Sequence, residues 1–88
     1  MNWVYRFDTR ALKEFKKLGT QTQRDILAFL DKRIAGGADP HRFGKGLRGN
    51  LTGLWRYRVG DYRILCQIKE MEWIVLVIAV GHRKNIYG

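Results

Sequence analysis

The chain has one cysteine, one proline and two histidines among 88 residues. A lone cysteine, Cys66, can close no internal disulfide. In a strand-like run it reads as buried core, which suits a reducing cytosol. One Cys and two distant His leave no spacing for a zinc site, so no metal or other cofactor is expected. Carboxylates are also scarce, with 8 Asp and Glu against 17 Lys and Arg and a net charge of +9. The longest apolar run, Trp73 to Val80, falls far short of the ~20 residues that span a bilayer. The opening Met1-Asn2-Trp3-Val4-Tyr5-Arg6 meets charge too early for a signal peptide. No membrane is expected, and a cytoplasmic location follows.

What is present is a cationic surplus on a chain that is 45% hydrophobic, with three tryptophans. That length makes a single domain over residues 1–88 with one modest core. The surplus favours nucleic acid, a ribosomal surface or an acidic protein. It is uneven, with eight basic and five acidic residues in 1–40 against nine and three in 41–88.

Alternation of Trp3, Tyr5 and Phe7 with Val4, Arg6 and Asp8 predicts a first strand. Asp8 or Thr9 can cap the helix that carries Leu12, Phe15 and Leu18. Thr20 with Gln23 reads as a capping box for a second helix, whose face is Ile26, Leu27, Leu30 and Ile34. Residues 38–53 are loop-like but long for a structureless connector, which points to a functional loop or a short unrecognised element. Two strands follow near 54–59 and 62–69. A last strand, Trp73 to Val80, is apolar throughout and is expected to lie centrally with both faces covered. The class is α+β, in the order β-α-α-β-β-β. The expected architecture is a curved, mainly antiparallel sheet with the helical hairpin packed on one face.

Leu54-Trp55-Arg56-Tyr57-Arg58-Val59-Gly60-Asp61-Tyr62-Arg63 is the informative stretch. Side chains alternate between the faces of a strand. Arg56 and Arg58 therefore share one face, and Trp55, Tyr57 and Val59 the other. A hairpin of this kind packs on a core and turns its charge to a polyanion. A merely solvated sheet face satisfies the same pattern. Arg63 could equally serve as an ion-pair partner of Asp61 or Glu70. Ala79 and Gly81 share the parity of Arg83, and small residues there would leave room for a substrate.

The segments Leu47-Arg48-Gly49, Leu54 to Leu65 and Ile78-Ala79-Val80-Gly81-His82-Arg83 with Tyr87 resemble the RelE/ParE toxin superfamily. Phe7-Asp8 and Ala11 to Leu18 are similar to its RelE-like branch. The resemblance implies a toxin of a type II toxin-antitoxin system. It further implies a metal-independent endoribonuclease that cleaves mRNA, typically in the ribosomal A site, by attack of the ribose 2′-hydroxyl on the adjacent phosphate. The partners it implies are mRNA, the ribosome and a cognate RelB-like antitoxin, with operator DNA reached only through the antitoxin complex.

Carried over by position, Arg56, Arg58, Arg63, Arg83 and Tyr87 form the expected site. Lys45, Arg48, Arg58 and Lys84 are the expected RNA-binding cations. The pattern places lysines on the second strand where this chain has Leu54 and Arg56, and an arginine is a poor proton acceptor. His82 is a candidate replacement, since histidine titrates near physiological pH. A His82 that bonds a backbone carbonyl at a strand end fits equally. Two other functions remain open: a ParE-like DNA gyrase poison without nuclease activity, and a non-catalytic RNA- or ribosome-binding module.

Overall fold

Asp8 joins the first strand to the first helix. Its N–H donates to the Val77 carbonyl at 2.9 Å, and its carboxylate accepts the Ala11 N–H at 2.8 Å. The first bond fastens the end of strand β1 (Val4–Phe7), and the second caps helix α1 (Thr9–Lys16). A cap of this type satisfies a donor that the first helical turn leaves over, and contributes about 1 kcal/mol. The structure, a computed structural model, describes residues 2–84.

Helix α2 (Thr20–Arg33) begins at Gly19 without a side-chain cap. The expected Thr20–Gln23 box is not formed. The Gln23 amide instead donates to the Leu18 carbonyl at 2.8 Å and so satisfies the turn between the helices. The two helices lay Ala11, Phe15, Ile26 and Leu30 on one face of the sheet, and Ile34 follows just past α2. Among the described residues no helix is long and apolar enough to cross a membrane.

Among the described residues the sheet has five strands in the order β1-β5-β4-β3-β2. The additional strand, β2 (Lys45–Gly46), lies inside the segment read as a loop, between two single turns of 3-10 helix at Pro40–Arg42 and Gly49–Leu51. Two residues are too few for alternation to register, so pattern alone does not find it. Strands β3 (Trp55–Val59), β4 (Tyr62–Lys69) and β5 (Ile74–His82) form an antiparallel meander. Among the described strands only β1 runs parallel to its neighbour, β5.

The expectation for β5 needs correction. It lies between two strands, as expected, but only one of its faces is fully buried. Val75 and Val77 are buried against the helices, whereas Ile74 and Leu76 on the other face are half-exposed. The alternation then breaks, because Leu65 pairs with Ala79 and Cys66 with Val77, leaving Ile78 as an extra residue. This is a β-bulge. After it, Val80 joins the core while Ala79 and Gly81 turn to the face that carries Arg63. Cys66 is buried, as expected, and burial pushes its thiol pKa well up.

Pairing of β1 with β5 ends at Phe7 and Val77. Beyond that point Glu14 of α1 takes over, and its Oε1 accepts the Val80 N–H at 2.9 Å. The side chain thus satisfies a donor just past the bulge. Removing an acceptor from a partly buried N–H costs about 1–3 kcal/mol. Glu14→Ala is therefore expected to lower the urea-unfolding free energy by about 2 kcal/mol. Glu14→Gln, which keeps an oxygen there, should recover at least half of that loss. Equal losses in the two variants would show that the hydrogen bond is not what matters.

Candidate functional site

The site is built from strand register. Arg58 on β3 pairs with Arg63 on β4, and Arg63 pairs with Gly81 on β5. Two residues beyond Gly81, Arg83 returns to the same side. Like charges directly opposite on neighbouring strands are destabilising. Departures of this kind from local rules concentrate at functional sites. Gly81 adds no side chain opposite Arg63, and a hollow lies between Arg63 and its neighbours.

The hollow is a cleft of about 180 Å³ lined by Arg58, Gly60, Asp61, Arg63 and Arg83. Asp61 shapes it. Its carbonyl accepts the Arg83 N–H at 2.8 Å, which ties the end of β5 to the β3–β4 turn. Its carboxylate lies 4.0 Å from the Arg83 Nε. Both side chains are more than half exposed, so this pair is worth little in stability. Its effect is to aim the guanidinium. Asp61 was read as a turn residue and as a possible partner of Arg63. The structure sets it beside Arg83, its neighbour across the hairpin. Glu70, the other partner considered for Arg63, lies 3.5 Å from the ring of His41.

A second hollow adjoins the first. Its volume is about 580 Å³, and its lining includes Phe29, Arg33, Phe43, Lys45, Arg56 and Arg58. Arg58 belongs to both hollows. Lys45 and Arg56 are cross-strand partners and therefore share a face. The sequence singled out Lys45 and Arg56 but not Arg33, Phe29 or Phe43.

Three expected residues stand elsewhere. His82 pairs with Tyr62 on the helix side of the sheet, and the two rings meet edge to face with centroids 5.5 Å apart. Its Nδ1 accepts the Lys84 N–H at 3.2 Å. The fold does not bring His82 into the arginine cleft. Arg48 and Lys84 are exposed and line neither hollow. Tyr87 lies outside the described residues. His41 is tied to Asp39 through both its backbone N–H and its ring, at 2.9 Å each. Those bonds, the backbone one first, hold the Asp39 carboxyl below its usual range. Among the described residues no three His, Cys, Asp or Glu side chains gather in a way that could hold a metal ion.

Comparison with known proteins places this geometry in a family context. Residues 5–87 match the family described as the ParE toxin of type II toxin-antitoxin system, parDE. The chain is 32% identical over 87 residues to the toxin RelG of Mycobacterium tuberculosis, covering 99% of this chain and 98% of that one. The fold is similar to the toxin-antitoxin complex RelBE2 from the same organism, with a TM-score of 0.79, 30% identity and coverage of 94% of this chain and 100% of that one. It is also similar to the isolated E. coli RelE toxin, with a TM-score of 0.71, 27% identity and coverage of 91% and 83%.

Proposed function

The chain belongs to the RelE/ParE superfamily of type II toxin-antitoxin toxins, and on that premise we propose that it is an mRNA endoribonuclease acting in the cytoplasm on translated messages. The observation that carries this reading is the grouping of Arg58, Arg63 and Arg83 around one cleft. Three guanidinium groups suit a phosphodiester better than they suit one another.

The chemistry follows from what such a cleft can do. The 2′-oxygen of a ribose attacks the adjacent phosphorus, and the bond from phosphorus to the 5′-oxygen breaks. The leaving 5′-oxygen takes a proton from solvent water, and the products are a 2′,3′-cyclic phosphate and a 5′-hydroxyl. Negative charge builds on the non-bridging oxygens as phosphorus becomes pentacoordinate. Arg63 and Arg83 bind those oxygens as planar forks. Charge fixed in place before the reaction is commonly the largest catalytic contribution. Among the described residues lining the cleft, Asp61 alone carries a carboxylate, which can accept a proton, whereas a guanidinium only donates. We assign Asp61 the 2′-proton and the orientation of Arg83. Tyr87, which the resemblance places in the site, would supply a ring on which a splayed base can stack.

The partner that restrains this activity is an antitoxin of the RelB type, and the basic face suits an acidic or amphipathic segment. The family description names ParE, so a gyrase-poisoning toxin without nuclease chemistry is the second reading. One experiment separates the two. The protein is induced and the 5′ ends of cellular RNA are mapped. Cuts within translated codons are expected. Intact mRNA together with gyrase-dependent DNA breaks would select the second reading.

A further inference from the structure

The larger hollow is not needed to hold the scissile phosphate, yet its chemistry is specific. Phe29 and Arg33 come from α2, Phe43 from the segment before β2, Lys45 from β2, and Arg56 and Arg58 from β3. Four of these side chains are cations, and none of its described lining residues is a carboxylate. The Arg33 guanidinium carbon lies 5.1 Å from the centroid of the Phe43 ring. Phe43 is itself anchored, because the Trp55 Nε1–H donates to its carbonyl at 2.7 Å. A guanidinium is planar, and a ring beneath it fixes its orientation. Arg33 is exposed, so a second flat group can settle on its outer side.

We propose that this groove is a nucleobase subsite for single-stranded RNA, taking the unpaired base next to the scissile phosphate. The base stacks on Arg33 above Phe43. Lys45 and Arg56 hold the phosphate of that nucleotide, and Arg58 stands between the two subsites. The proposal rests on the ribonuclease reading above. Three observations favour RNA over an acidic peptide. The cation–ring stack offers a flat surface, which unpaired bases use and carboxylate side chains do not. The groove is continuous with the arginine cleft through Arg58, so one strand can occupy both. Its volume of about 580 Å³ falls within the range of roughly 300–1,000 Å³ usual for small-ligand sites. Stacking is tolerant of base identity, so the groove adds affinity and reach rather than codon preference.

The test uses the full chain carrying Arg83→Ala, which spares the RNA. The probes are fluorescein-labelled 2′-O-methyl RNA hexamers in which one base at a time is replaced by an abasic residue, and anisotropy reports binding. One abasic position is expected to weaken binding by about 5-fold or more, the usual worth of a stacked base. Adding Arg33→Ala and Lys45→Ala, both at exposed positions, should erase that dependence, so that intact and abasic hexamers bind alike. Insensitivity to every abasic position would overturn the proposal. So would sensitivity that survives the double substitution. An acidic peptide that binds through Arg33 and Lys45 while RNA is indifferent to them would assign the groove to a protein partner and overturn it too. Retention of mRNA cleavage by the unsubstituted protein alongside any of these results removes the subsite alone. Absence of both hexamer binding and cleavage removes the ribonuclease reading with it.

Discussion

Arg83→Ala is expected to lower RNA cleavage by about 10²–10³-fold, the usual loss when one fixed donor to a developing oxyanion is removed. The melting temperature should move little. Arg83 is exposed, and its tie to the fold is a backbone bond from its N–H to the Asp61 carbonyl, which alanine keeps. Removing one of three clustered cations also relieves repulsion in the free protein. Arg83→Lys should recover only part of the loss, since an ammonium is a point charge without the planar fork. Arg63→Ala should resemble Arg83→Ala, and the double variant should lose less than the product of the two, because both act on one phosphate. Cleavage within 3-fold of wild type in Arg83→Ala would remove this arginine from the chemistry.

The largest expected loss of stability comes from a single methyl group. Gly44 has φ +75, in the left-handed region, and a Cβ there would collide with the Arg56 carbonyl oxygen. It would also lie 2.9 Å from both the Trp55 Nε1 and the Tyr57 Cδ1. Those two atoms belong to side chains held in place. Trp55 donates to the Phe43 carbonyl, and the Tyr57 hydroxyl donates to the Pro40 carbonyl at 2.8 Å. No neighbour can yield without breaking one of these bonds. Left-handed strain and overpacking each cost about 1–3 kcal/mol. Gly44→Ala should therefore cost about 3 kcal/mol and lower the melting temperature by roughly 12–24 °C in a domain of this size. Gly46→Ala is the control. Its backbone is not left-handed, and its nearest neighbour is the Trp55 ring at 3.2 Å. A loss below about 1 kcal/mol is expected there. Similar losses at both glycines would show that the left-handed turn at Gly44 is not what sets β3 against β2.

How much of this was legible in the sequence depended on pattern length. The β3–β4 hairpin is long enough for alternation to speak, so Tyr57 and Ile64 on the core face, and Arg58 and Arg63 on the other, could be assigned by counting. The short strand β2 could not, and the order of elements read one strand too few. In β5 every position from Trp73 to Val80 is apolar. Burial there could not be read from composition, and the bulge at Ile78 left no mark.

The sequence by itself determined the cationic balance, the element types and the side of the hairpin on which its arginines lie. Strand alternation is a local rule, and charge is a sum over residues; neither requires a partner. Only the tertiary structure decided which residues meet. It tied Asp61 to Arg83, because antiparallel pairing brings the end of β5 to the β3–β4 turn. It turned His82 towards Tyr62 and away from the cleft. It laid Arg33 of α2 over Phe43, whose backbone is fixed by Trp55. Such contacts depend on register, a bulge and the angle at which a helix crosses a sheet edge, and these emerge only when the whole core packs.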